Sequence, residues 1–410
     1  MYFVFSLRGV ISMKRSVGTV SRGLRAPIFN AGDKLVDIIP DLLLEASRNE
    51  GFELRDRDVL CITESIVART QGNYASVDDI ARDVQKKIPE HARSLGLLYP
   101  ILSRNRFSIL LKGIAMACEE IVIQLSYPSD EVGNALFDPK LLYDVKVNPW
   151  RDVLDEEQFH KYFGHPVHPF TGVDYVAFYK GLVEECGAKC RIIFSNDPKA
   201  LLNEVQDVLC CDIHTRQASS QALKDAGART VLTLCDILSD KSDKHGYNEF
   251  YGLLGSNKAD EKRVKLFPRD TQPIVDEIAR RIHEKSGKNI EVMIYGDGAF
   301  KDPVGKIWEL ADPVVSPAYT QGLSGTPNEI KIKYLADSEF SGLSEEQQRE
   351  AIEERIRSKE NNLVGKMASE GTTPRHLTDL LGSLADLTSG SGDKGTPLVY
   401  IQGYFDNYAD

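Results

Sequence analysis

From Val173 to Leu238 the chain alternates helix, strand, helix, strand, helix, strand, and this alternation limits the folds open to it. The strands read as Arg191–Phe194, Asp207–Cys210 and Thr230–Leu234, with a helix over Arg216–Ala226 that Gly227 ends. Strands separated by helices cannot pair as hairpins. They imply a small parallel sheet. The segment is bounded by Pro149–Gly172, rich in Pro, His and aromatics without a clear period, and by the polar Ser239–Gly246. It reads as a self-contained α/β insertion behind an irregular connector. The expected division is 13–148 for the first part of a core, 149–245 for the insertion and 246–410 for the second part.

Outside the insertion the apolar runs Val59–Thr63 and Ile290–Tyr295 read as buried strands, and Glu120–Leu125 and Leu398–Gln402 as strands. Helices are expected after Gly32-Asp33 up to about Arg48, over Val77–Ile88, over Leu97–Ala117 with a break near Pro100, over Pro273–Lys285, over Ser344–Leu363 and over Thr378–Leu387. The fold class is α+β, a mixed α/β core with a small parallel α/β insertion.

With 410 residues the chain is long enough for two or three cores. Its net charge of −11, with no Lys/Arg-rich block, argues against nucleic acid as a partner. Seven scattered cysteines without a Cys-x-x-Cys fit a reducing cytoplasm. No apolar run approaches the roughly 20 residues that span a bilayer, so no membrane partner is expected. Met1–Ser12 reads as an upstream start or a disordered tail, with Met13 the more natural beginning.

The chemistry points to the ends of the strands. Ile290–Tyr295 stops at Gly296-Asp297-Gly298, and Lys301, Asp302 and Lys306 follow. A carboxylate at the tip of a buried strand with lysines behind it can hold a metal ion and phosphate oxygens. The alternative is a turn followed by a solvated charged loop. Thr388–Thr396, with Ser389, Gly390, Ser391, Gly392, Asp393, Lys394 and Gly395, is the best phosphate loop, offering backbone N–H groups, hydroxyls and one cation. It lacks the Walker pattern, and a flexible turn is the competing reading. Arg25–Gly32, Glu64–Gly72 and Gly252–Asn257 complete five loops that abut strands or helices. His160, His165 and His168 have spacing that permits zinc, but the prolines around them and the lack of a Cys ligand argue against it.

Taken in order, these loops resemble the γ-glutamyl ligase family that adds glutamate to the deazaflavin coenzyme F-420. The likeness runs through Ala26-Pro27-Ile28-Phe29, Asp58–Gly72, Gly252–Asn257, the strand ending at Gly298 and Gly390–Gly403. It implies a GTP-dependent amide ligase with Mg2+ or Mn2+, an acyl phosphate intermediate, L-glutamate and a small-molecule acceptor as substrates, and a homodimer. On this resemblance Ala26, Pro27, Ile28, Phe29, Glu64, Ser65, Arg69, Asn257 and Ser389–Thr396 line the nucleotide site. Asp297 and Lys301 are the catalytic candidates, and Asp297, Asp302 and Asp393 the metal ligands. The chain departs from the family pattern at four places. The first metal aspartate falls on Leu254, the second on Gly296, the glutamate of the last loop on Ser391, and a lysine on Arg69. Two other readings stay open: a γ-glutamyl ligase acting on folate or another cofactor, and a catalytically silent nucleotide- or metabolite-binding protein.

Overall fold

The computed structural model describes residues 17–89, 92–104, 106–168, 171–296, 301–302, 307–308, 315–372, 375–389 and 393–409. In chain order the first elements are β1 (Val20–Leu24), α1 (Leu35–Glu50), β2 (Val59–Thr63), α2 (Glu64–Thr70), β3 (Tyr74–Ser76), α3 (Val77–Lys87), β4 (Ser94–Leu98), α4 (Phe107–Ala115) and β5 (Glu120–Leu125). There follow β6 (Leu154–Asp155), α5 (Glu156–Phe163), α6 (Tyr175–Glu185), β7 (Lys189–Phe194), β8 (Asp207–Cys210), α7 (Arg216–Asp225) and β9 (Thr230–Thr233). The last are β10 (Asn257–Lys258), β11 (Arg263–Lys265), α8 (Thr271–Ser286), β12 (Glu291–Gly296), β13 (Lys301–Asp302), β14 (Ile307–Trp308), β15 (Val315–Tyr319), α9 (Ile332–Asp337), α10 (Glu345–Arg357), α11 (Leu377–Ser389) and β16 (Leu398–Gln402). The fold is α+β, built on two large sheets. No helix among the described residues is long and apolar enough to cross a membrane. The expectation for Met1–Ser12 lies outside the described residues.

One sheet has the order β1-β16-β2-β12-β15. Its centre, β16-β2-β12, is the set of continuous apolar runs, which carry no polar face because both faces are covered. One face packs on α1 and α8 through Leu60, Ile62, Val292, Ile294, Ile39, Leu43, Val275 and Ile278. The other packs on α11 through Cys61, Met293, Tyr295, Leu381 and Ala385.

The second sheet has the order β6-β7-β5-β4-β8-β9. From β7 to β9 every pair is parallel. Leu97, Ile121, Ile123 and Ile192 face the cluster that includes α3, α4 and α6. Leu98, Val122, Ile193 and Val208 face Leu201, Val205 and Leu223. Helices on both faces make it a doubly wound sheet whose strand order reverses between β4 and β8.

This sheet corrects three expectations. Residues 149–245 do not form a sheet of their own, because the two central strands, β4 and β5, come from before residue 126. Leu97 and Leu98 belong to a strand, and the helix expected there starts only at Phe107. Pro149–Gly172 is not irregular throughout: Asp155 and Gln158 form a reciprocal capping box at the start of α5. Phe159 and Phe163, one turn apart, then bury against Phe137.

Candidate active site at one end of the five-stranded sheet

Register brings four strand ends side by side. Leu24 pairs with Leu398, Leu398 with Ile62, and Tyr295 with Thr63. The loops that leave β1 and β2 and enter β16 there are therefore neighbours, at the strand ends where open sheets bind ligands. Backbone bonds join them. Ala26 N–H donates to the Gly395 carbonyl at 3.1 Å, Thr63 N–H to Pro397 at 3.1 Å, and Gly32 N–H to Thr70 at 2.8 Å. Arg69 Nε donates to the Phe29 carbonyl at 2.5 Å, and the Thr396 hydroxyl to the Ser389 carbonyl at 2.8 Å. The buried Tyr295 hydroxyl reaches Ser389 Oγ at 3.3 Å. Ala26, Phe29, Arg69, Ser389, Gly395 and Thr396 thus belong to one rim. Phe29 is buried and anchors it, whereas Pro27 and Ile28, the latter 82% exposed, project to solvent.

The fifth loop arrives on a small antiparallel sheet, β10-β11-β3. Asn257 pairs with Lys265 there. Lys265 Nζ donates to Ser65 Oγ and stands 3.9 Å from Glu64 Oε1, the two charged side chains being 13% and 4% exposed. Glu64, Ser65 and Asn257, all expected at the site, meet at a lysine that sequence reasoning missed. Its only mark in the sequence is a lysine between Val264 and Leu266, which reads as an ordinary solvated position on a strand.

A divalent cation would need oxygen donors at the positions where the family pattern puts them. Leu254 is buried, 8% exposed, in the apolar cluster of the six-stranded sheet. It lines a cavity of about 20 Å3 with Ile101, Arg106, Cys211, Ile213 and Ser256. A Cβ added to Gly296 would lie 2.7 Å from Glu64 Cγ and 3.0 Å from Phe267 Cζ, so the chain passes too close for any side chain. At these two positions the residues present do not fit a metal ion. Among the described residues no group of three or more His, Cys, Asp or Glu is arranged to hold one.

Asp393 and Lys394 are exposed next to Gly395. Asp297, Gly390, Ser391 and Gly392 lie outside the described residues, and Lys301 and Asp302 fall on β13, which pairs with β14. The His160 and His165 rings lie 4.1 Å apart and tilted by 31°, with His160 Nδ1 bonded to the Gly164 carbonyl at 2.7 Å. His168 accepts from Thr171 N–H at 3.1 Å, and burial lowers its pKa. All seven cysteines are free, and burial pushes Cys118, Cys190 and Cys210 up to about 12, which keeps them as inert thiols.

Beside this end of the sheet a cavity of about 490 Å3 opens at the start of α8, lined by Phe250, Tyr251, Pro268, Arg269, Pro273 and Pro317. Pro317 lies on β15, the neighbour of β12. Arg269 donates to Asn73 Oδ1 at 2.6 Å and lies 4.2 Å over the Tyr247 ring. The volume and the mixture of apolar wall and charged groups suit a small organic molecule.

The family model described as F420-0:Gamma-glutamyl ligase matches residues 23–403. No curated protein matches the chain.

Proposed function

This chain belongs to the F420-0:gamma-glutamyl ligase family, and from that premise we propose that it joins L-glutamate to a small-molecule carboxylate, with GTP driving the reaction. The observation that carries the reading is the meeting, at one end of one sheet, of residues far apart in sequence: Ala26 with Gly395, Arg69 with Phe29, and Lys265 with Ser65. The γ-phosphoryl group passes to the acceptor carboxylate, giving an acyl phosphate and GDP. The glutamate amine then attacks the acyl carbon, and phosphate leaves as the amide forms. Little covalent work falls to the protein in such a transfer; positioning and charge stabilisation carry it.

In this reading the rim residues Ala26–Phe29, Glu64, Ser65, Arg69, Asn257 and Ser389–Thr396 hold the nucleotide, and the 490 Å3 cavity takes the acceptor. Asp297 and Lys301 keep the catalytic assignment. The oxygen donors left to Mg2+ or Mn2+ are Asp297, Asp302 and Asp393. A homodimer in the cytoplasm completes the proposal. The replaced positions 254 and 296 favour one competing reading, a nucleotide-binding protein without catalysis. Phosphate release from GTP, measured with L-glutamate and a panel of carboxylate acceptors that includes F420-0 and folates, separates the two. Release that depends on both glutamate and one acceptor supports the ligase and identifies its substrate. Tight GTP binding with no release for any acceptor overturns it.

A further inference from the structure

The Lys265 ammonium is the charged group at the site that no expectation covers. It is largely buried, 13% exposed, at the end of β11. An ammonium has three N–H donors. Among the described residues Lys265 Nζ gives one hydrogen bond, to Ser65 Oγ, while the nearer Glu64 oxygen at 3.9 Å is too far to accept another. Keeping a desolvated cation with two donors unspent is unfavourable unless an anion completes its shell. Glu64 balances the charge at a distance and leaves those donors available.

The surroundings say which anion. Ser65 and Asn257 flank Lys265, one by hydrogen bond and the other by strand register, and Glu64 packs against Gly296 at the end of β12. Lys265 therefore stands beside the start of α2 and the end of β12, where Gly296 supplies no carboxylate. A site without that carboxylate has lost part of the negative charge that would bind a cation, and gains a cation of its own. We propose that Lys265 binds the phosphates of the nucleotide, as a fixed positive charge beside Gly296, where the family pattern puts a carboxylate. This rests on the ligase reading above, which supplies the nucleotide.

The test is calorimetric titration of GTP, ATP and guanosine, with magnesium present, into wild type, Lys265→Met, Lys265→Arg and Lys265→Gln, with thermal melts recorded for each. Losing one charged hydrogen-bonding partner should weaken GTP binding by about tenfold or more. Guanosine binding, which involves no phosphate, should be unchanged, and Lys265→Arg should recover most of the loss. If Lys265→Met lacks a cooperative melt, Lys265→Gln decides, because it keeps a donor for Ser65 and removes only the charge. Wild-type binding of GTP with equal affinity in the folded neutral variant overturns the assignment of Lys265 alone. No binding of GTP or ATP by wild type overturns the nucleotide reading and this assignment with it.

Discussion

Gly296 touches Glu64 so closely that the smallest side chain would not fit between them: a Cβ on the glycine would lie 2.7 Å from Glu64 Cγ. The end of β12 is therefore set against the start of α2, and Glu64 is held next to Lys265. An alanine at 296 must push Glu64 away or move the Phe267 ring, whose Cζ would be 3.0 Å from the new atom. Overpacking of this kind destabilises by about 1–3 kcal/mol. Gly296→Ala should show that loss in urea unfolding and should also weaken GTP binding, since it displaces the Glu64–Lys265 pair. A variant as stable as wild type would mean that the contact is absent.

The Tyr400 hydroxyl donates to the buried Asp58 carboxylate, closing β16 onto the start of β2. Asp58 also accepts from Arg55 N–H at 2.9 Å and Gly403 N–H at 3.0 Å. Tyr400→Phe keeps the ring, which stacks on Phe52 at 5.4 Å, and removes one bond to a carboxylate that retains others. The expected loss is about 1–2 kcal/mol of stability. Nucleotide affinity should not change. A large fall in GTP affinity without a fall in melting temperature would contradict this division of roles.

Much of this architecture was legible. The apolar runs at β2, β5, β12 and β16 are strands, because strands buried on both faces lose their polar alternation. The same loss of alternation hid β4: Leu97-Leu98 runs into Tyr99-Pro100-Ile101-Leu102 and passes for the start of a helix. Helix α5 was legible in its capping pair Asp155 and Gln158 and in Phe159 and Phe163, but the prolines that follow obscured it. The loops Arg25–Gly32, Glu64–Gly72 and Thr388–Thr396 stood out by their glycines, and described residues of all three share one rim. Lys265 did not stand out, because its meaning comes from Ser65, 200 residues earlier, and no local pattern encodes that contact.

Strand pairing also decides what can be removed. Deleting Gly172–Lys244 takes away β7, β8 and β9 together with α6 and α7. β4 and β5 would each lose a partner strand, and Leu98 and Val122 would lose the packing of Leu201, Val205 and Leu223. The shortened chain, joined by a Gly/Ser linker, should be insoluble or melt without cooperativity. A cooperative transition near that of the full chain would restore the view of an independent insertion.

Asp212 gives the stability a pH dependence of known sign. Its Oδ2 accepts from the Thr215 and Ser219 hydroxyls at 2.7 Å, and burial pushes its pKa up, with the Glu131 carboxylate adding in the same direction. The folded state therefore holds this proton more tightly than the unfolded chain does. The resulting stabilisation is present at acid pH and is lost as pH rises through the folded-state value. Asp212→Asn lacks this titration, while the other carboxylates titrate in both proteins. Wild type should gain melting temperature relative to Asp212→Asn as pH falls from 7 towards 4. A difference that stays flat, or that grows with rising pH, would show that Asp212 is not protonated preferentially in the fold.

Leu254→Asp asks which sheet that side chain serves. The substitution restores the carboxylate expected of the family at this position. If Leu254 faced the nucleotide, the variant would gain manganese affinity with little loss of stability. In the structure it lies instead among Ile101, Cys211, Ile213 and Leu253, at the carboxyl ends of β4 and β8 where the strand order reverses. Gly252 sets this course, with a φ of +51° and a position only 2.5 Å from the carbonyl oxygens of Cys235 and Ile237 for any added Cβ. The remaining space, about 20 Å3, holds no more than one water. Replacing the buried leucine should therefore remove about 2–5 kcal/mol of stability. Arg106 lines the same cavity and can pair with the new carboxylate, which moderates the loss but draws the oxygens further from the nucleotide. Manganese titration should show no affinity above that of wild type, and gained affinity would return position 254 to the ligase site.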